Sequence, residues 1–447
     1  MKPEQQYIDL FIEHENLIRQ HSTSIMNNHR RPSLEEFQRL GFPPMKEDYA
    51  CTNVNKAFAP DYGMNINRIK IPVNPYHVFC CDVPHLNAAL YFTVNDSIYE
   101  RKEISPNFPE GVYIGSLIKF AETHPEIAKQ HYGKIAGTKN DGIIAINTMF
   151  AQDGFVVYVP QNIVLESPIQ LIHINRSDVN TMSNRRILVI MEAHSQAKLL
   201  VCTHSMDKVS FISTEVIEIF ANESAKFDYY DLEETSELTT RFTSLHLKQE
   251  THSQVCINGI TLNNGLSRNN YHIELNGEYA ENKLCGMSIL DETKHLDTMT
   301  HIIHNAPHCT SNELFKNILN GHSTGAFSGK ILVKKGADKT SAHLTNKNYC
   351  STRNARMYSK PQLEIYADDV KCSHGMTTGQ MDENALFYMQ SRGIPYHEAR
   401  TLLSIAFTAD VLDNIHIEGL KERLQALIEK RFRGELAHCS DCNHNKQ

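Results

Sequence analysis

KPQLEIYADDVKCSHGMTTGQMDENALFYMQSRGI, residues 360–394, passes from one kind of chain to another. PQLEIYADDV alternates apolar and polar side chains, the period of a half-buried strand. Cys372 and His374 follow, two apart, and then Gly375. Beyond Gln380 the pattern turns helical: Asp382 is placed to cap DENALFYMQSR and Gly393 to close it. The reading of this junction decides the fold, with strands before it and helices after it.

Toward the N-terminus the strand pattern continues. From Gly142 to about residue 378 the chain is almost all short strand-like runs, among them FVVYV (155–159), PIQLIHI, RILVIM, AKLLVC, EVIEIF, THSQVCINGITL, NYHIEL and KILVKK. Asn–Gly pairs at 258–259, 264–265, 276–277 and 320–321 punctuate it as turn residues do. So long a stretch implies a large sandwich, a barrel or a β-solenoid. No crisp repeat period is visible, so periodicity does not choose among them. SNELFKNIL (311–319) has a local helical look that its strand neighbours argue against.

Residues 1–138 read as mainly helical, 139–379 as the β core, 380–435 as a C-terminal helical domain and 436–447 as a disordered tail. In RPSLEEFQRLGF (31–42), Ser33 and Glu36 make a capping box, Leu34, Phe37 and Leu40 line one face, and Gly41 stops the helix. SLIKFAETHPEIAKQHYG (116–133) reads as helical segments broken near Pro125. In the C-terminal domain Pro395 opens a second helix, with Ala399, Leu402, Leu403, Ala406, Phe407 and Val411 at helical spacing. Leu420, Leu424, Leu427 and Ile428 mark a third. Packing on their own domain accounts for these stripes most simply; a groove on a partner protein is the sharper reading.

Composition narrows the function. The chain of 447 residues is 41% apolar and 21% charged, ordinary for a soluble globular protein. Its net charge is −8 with no block of like charges, which argues against a nucleic-acid groove. MKPEQQYIDLFIEHENLIRQ has no apolar signal-peptide core, and no run approaches the ~18 residues of a membrane helix. A cytoplasmic protein with its 11 cysteines kept reduced is expected. There is no GxxxxGK[ST] loop, GxSxG elbow or HExxH, so the chain is not expected to hydrolyse ATP itself.

On a strand, Cys372 and His374 share a face, with Lys371 and Ser373 on the other. Thiolate and imidazole suit iron or zinc, but two ligands are too few for a closed site. A buried thiol beside a hydrogen-bonded histidine fits the spacing as well. Asp368 and Asp369 invite a glycosidase or lyase reading, yet adjacent strand residues face opposite ways and do not converge on a sugar. HIIHNAPHC (301–309) is a weak metal cluster, because Pro307 denies His301, His304, His308 and Cys309 a common helix. The tail HCSDCNH (438–444) has Cys439 and Cys442 at zinc spacing but no scaffold. Cys80 and Cys81 read as buried apolar thiols.

Residues 360–394 closely resemble the SufB/SufD family of iron–sulfur cluster assembly scaffolds, and its SufD members in particular. FSGKILVKKGADKTSAHLTNKN (327–348), NAPHCTSNELFKNIL (305–319), INTMFAQDGFVVYVPQNIVLESPIQLI (146–172) and EGVYIGSLIKFAETHPEIAKQHYGKIA (110–136) are similar to the same family. So is GFPPMKEDYACTNV (41–54), with Tyr49 where tryptophan is common. The resemblance implies a right-handed parallel β-helix flanked by N-terminal and C-terminal helical regions. It implies a non-catalytic scaffold that pairs with SufB through the β-helices and binds the SufC ATPase through the C-terminal helices. A transient iron–sulfur cluster would form at the partner interface, with no cofactor held tightly by the isolated chain. His374 matches the motif histidine assigned to that interface and would be a shared metal ligand; Cys372 matches the motif cysteine beside it. Cysteine and glutamate ligands would come from SufB. The competing readings are a β-helix polysaccharide lyase or hydrolase, and a homodimer that acts without SufB.

Overall fold

The computed structural model describes residues 3–75, 88–99 and 108–434. Cys80, Cys81 and the cysteine-bearing tail lie outside them. Among the described residues strand makes up 41% against 26% helix. Two sheets carry the strands. The first, nine-stranded, runs from Tyr113–Ser116 to Arg356–Ile365; the second, ten-stranded, runs from Ser97–Ile98 to Lys371–Gly379. Strands alternate between the sheets, and pairing from coil to coil is parallel. The result is a parallel β-solenoid of about 8 turns.

The register explains how the solenoid closes over a core. In a strand alternate residues face one way, and here one set faces inward. Phe227, Val255, Asn282, Ser311, Ala342 and Cys372 form one inward column; Tyr229, Ile257, Leu284, Glu313, Leu344 and His374 form the next. Most inward residues are apolar and fully buried, such as Ile187, Val189, Ile217, Ile219, Leu245 and Ile257. Each contributes roughly 1.5–3 kcal/mol by leaving water. Further along the strands the interior is polar. Arg241 lies 2.5 Å from the Asp231 carboxylate and 3.2 Å from Glu215, and His173 lies 2.8 Å from Glu215. Burial pushes the Glu215 carboxyl up, but His173, Arg241 and Arg185 outweigh it and hold it well below the ordinary range.

The two ends differ. At the first, Tyr91, Ile98, Phe108, Val112 and Ile114 pack onto the start of the core. The antiparallel strands Ser97–Ile98 and Tyr113–Ser116 terminate the sheets there. At the other end the strands Arg356–Ile365 and Lys371–Gly379 each pair on one side only, among the described residues.

Helices cover the outer faces. In the N-terminal region they are α1 (Pro3–Gln20), α2 (Ser24–Leu40), α3 (Val54–Ala57), α4 (Leu117–Thr123), α5 (Pro125–His131) and α6 (Gly142–Phe150). Phe11, Phe37, Phe58 and Ile146 bury Met182, Ile212 and Phe242 of the first sheet. After the solenoid come α7 (Glu383–Ser391), α8 (Tyr396–Leu412) and α9 (Glu418–Arg433). Val411, Leu412, Leu420, Leu424 and Ile428 pack on Ile172, Tyr230, Cys285 and Met287 of the second sheet.

Some local expectations give way. α2 begins nine residues before the expected capping box: Thr23 accepts from the Met26 N–H, Pro32 lies inside the helix, and the Ser33 hydroxyl donates to the His29 carbonyl at 2.6 Å. Arg30 holds that earlier part in place. It is fully buried and donates to the carbonyls of Met149 at 2.6 Å and Ala151 at 2.7 Å, tertiary bonds that outweigh the proline. Residues 142–150 are helix, so the unbroken succession of strands starts at Phe155. Asn258–Gly259 is no turn but lies mid-strand, where a Cβ on Gly259 would come within 2.4 Å of the Tyr271 hydroxyl. SNELFKNIL is strand, as its neighbours required. Asp382 caps α7, Gly41 ends α2 at φ +63, and Pro125 starts α5.

Candidate functional site

The free end of the solenoid presents the final coil: the strand Arg356–Ile365, a turn, and the strand Lys371–Gly379. Pro361 has no N–H to give a ladder, and an edge strand is where a sheet tolerates it. Cys372 stands above Ala342, and His374 above Leu344, so both side chains face the interior. Cys372 is half-buried and packs with Val370 on the end of the core. Burial pushes its thiol up, and a backbone hydrogen bond with Ala342 offsets this only in part. His374 is exposed, because no further coil lies over it among the described residues. On the outer face the Ser373 hydroxyl sits 2.7 Å from His343 Nδ1.

Other groups at this end were not singled out by motif or spacing. Asn346 and Asn348 are buried and face inward one coil below the end. The Ser359 hydroxyl donates to Asn346 Oδ1 at 2.7 Å. Asn348 bonds Ser359 at 3.2 Å and Thr378 at 3.3 Å, and below it a chain runs through Asn317 to Ser288. Glu313 lies two coils beneath His374 in the same column. Burial pushes its carboxyl up to about 8, against a smaller opposing effect of the Thr300 hydroxyl. The signal was present in the inward phase of each strand, but it requires knowing which phase is inward. Tyr358, Ile365, Tyr366 and Met376 leave much apolar surface exposed around the same end.

The remaining candidates separate. Asp368 and Asp369 are exposed in the final turn, where Asp369 pairs with Lys339 through its carboxylate, so they do not form a convergent acid pair. His304 faces inward, with Nε2 2.8 Å from the Ser311 hydroxyl. His301 faces outward beside His272, and His308 stacks on Tyr279 in a turn, so HIIHNAPHC forms no single cluster. The stripe of α8 is divided. Leu402 and Ala406 are exposed, Leu403 and Phe407 are half-buried, and Val411 is fully buried against the second sheet. Phe407 lies under Lys316 and beside Tyr349. The larger exposed apolar groups are Phe387 and Tyr388 of α7, with Tyr396 at the start of α8.

Comparison with known proteins shows the family. The family described as SUF system FeS cluster assembly, SufBD core domain, matches residues 173–407, and the SufBD protein N-terminal region matches residues 1–171. The chain belongs to the SufBD family. An iron–sulfur cluster assembly SufBD family protein of Synechocystis is 27% identical over 91% of both chains. The iron–sulfur cluster assembly protein SufD of Escherichia coli is 31% identical over 60% of this chain and 64% of that one. SufD of Bacillus subtilis is 26% identical over 72% of this chain and 75% of that one. The resemblance read from the sequence therefore holds, and with it the iron–sulfur cluster assembly class of this SufBD protein. Among the described residues no helix is long and apolar enough to cross a membrane.

Proposed function

We propose that this SufBD protein is a SufD-like, non-catalytic scaffold that pairs with SufB through the free end of its β-helix and engages the SufC ATPase through its C-terminal helices. The observation that carries the reading is the pair of long strand edges, unpaired among the described residues, that enclose an exposed, inward-facing His374. Such edges are a template for another chain. A partner sheet stacked there would cover His374 and complete a ligand set that this chain alone lacks.

In that setting His374 supplies an imidazole ligand or moves a proton at the nascent iron–sulfur cluster, which is the cargo of the assembly. Cys372 stands beside it as a thiol at the interface. Its burial and raised thiol suit a supporting role better than a nucleophilic one. Phe387, Tyr388, Tyr396 and Leu402, with the exposed part of the α8 stripe, offer the apolar surface for the ATPase. The lyase or hydrolase reading loses its acid pair, since Asp369 is tied to Lys339 in a surface turn.

Co-expression with SufB and SufC, followed by size measurement and anaerobic iron and sulfide analysis, tests this. A complex containing all three chains, whose bound iron and sulfide fall when His374 is replaced, is expected. A chain that remains a homodimer in the presence of SufB overturns the pairing.

A further inference from the structure

On the outer face of the second sheet, away from the free end, Asp228 and Cys256 occupy paired positions on neighbouring strands. The loop joining α8 to α9 lies across them. Lys198 Nζ donates to the His416 carbonyl at 2.7 Å, and the His416 N–H donates to the Tyr230 hydroxyl at 2.9 Å. Asn258 Nδ2 donates to the Val411 carbonyl at 3.2 Å, and the Cys256 thiol to the Asn414 carbonyl at 3.6 Å. The His416 ring is thereby set with Nδ1 3.0 Å from Asp228 Oδ2.

One ligand atom each from Asp228, Cys256 and His416 lie within 4.8 Å of one another, beside a cleft of about 330 Å³. Tetrahedral zinc, with bonds of about 2.0–2.2 Å to nitrogen or oxygen and about 2.3 Å to sulfur, places its ligand atoms roughly 3.3–3.6 Å apart. The carboxylate and imidazole need to part by only a few tenths of an ångström. The Tyr230 hydroxyl donates to that same oxygen, Asp228 Oδ2, at 3.2 Å and helps hold the carboxylate in place. We propose that Asp228, Cys256 and His416 bind a borderline divalent transition metal such as zinc, with water from the cleft as fourth ligand, and that the ion fastens the α8–α9 loop to the β-helix.

The donor set fits that class of metal: one thiolate, one imidazole and one carboxylate. Burial, with Cys285 and Asp228 nearby, holds the Cys256 thiol well above its ordinary value, and Lys283 opposes this only in part. Binding forms the metal–sulfur bond and releases the thiol proton to solvent, so affinity rises with pH. Cys372 and His374 take no part. The expectation of a metal-free isolated chain came from that pair, and nothing in the sequence joins Cys256 to His416.

Anaerobic titration of the full-length isolated chain with Co²⁺ tests the site, independently of any assembly partner. One equivalent with tetrahedral visible absorption and a near-ultraviolet thiolate band is expected. Cys256→Ser should abolish the band, and His416→Ala should weaken binding by about tenfold or more, with folding checked by circular dichroism. Asp228→Asn serves the same purpose if the His416 variant loosens its loop. The double variant Cys439→Ser, Cys442→Ser should retain the signal. Absence of binding by the wild type, or a band that survives Cys256→Ser and is lost in the tail variant, overturns the proposal.

Discussion

The first and last coils of the solenoid are built from the same kind of strand, yet among the described residues one end is sealed and the other is not. At the sealed end the terminal strands are short, two residues in Ser97–Ile98 and four in Tyr113–Ser116, and aromatic and aliphatic side chains plug the core. At the free end the terminal strands have ten and nine residues, and the last inward positions hold Cys372, His374, Met376 and Thr378. Short edges discourage pairing and long ones invite it. The early end is thus closed to further pairing, and the last coil is left available for association.

Substitutions at the two ends should separate along that line. The largest loss of stability is expected inside the covered coils, well away from the free end. Arg241→Ala strands Asp231, Glu215 and Glu233 as buried carboxylates, at a cost of about 5 kcal/mol. Denaturant melts of the isolated chain would show it, and a change below ~1 kcal/mol would break the contrast.

Between the ends, Glu313→Gln should act through pH. The folded carboxyl, raised to about 8, keeps its proton where the unfolded one, near 4.5, has lost it. Wild-type stability from this group is therefore full below pH ~4.5 and falls as pH rises toward 8, by a total on the order of 5 kcal/mol. Glutamine removes that slope. Parallel melting curves for the two proteins across this range would show that Glu313 is not a buried neutral acid.

At the free end, effects on folding should be small and effects on function large. Cys372→Ala removes a half-buried thiol and should cost about 1 kcal/mol, with cluster assembly reduced by about 10–100-fold at most. His374→Ala should change stability by less than ~0.5 kcal/mol while abolishing cluster formation in cells. A His374→Ala protein that melts early yet supports assembly would reverse the assignment of that end. Smallest of all on stability is Phe387→Asp, on a helix with no buried residue. It should leave the melt unchanged and weaken ATPase binding; unchanged affinity would place that contact elsewhere.

Much of this was legible in the sequence because period-two alternation survives wherever a strand has one wet face or one mixed face. The shared face of Cys372 and His374 followed from it. The solenoid itself was not legible from periodicity. Successive coils begin at Gln254, Glu281, Thr310, Ser341 and Lys371, close to a constant spacing but never locked to one. SNELFKNIL looked helical because its alternation is blurred on both sides. Outward Leu314 is covered by the C-terminal helices, while inward Glu313 is polar. The site residues Asn346, Asn348 and Ser359 converge only once the coils stack, and that stacking is long-range information.

Sealing one end and not the other gives the molecule a valence of one. A solenoid free at both ends has two docking faces and propagates head to tail without limit, as open heterologous contacts do. With a single docking face, any partner that stacks on this chain by the same kind of end uses up its own face in doing so. In the proposed pairing the assembly would therefore terminate at a pair of solenoids whatever the concentration, with its site at the one junction between them.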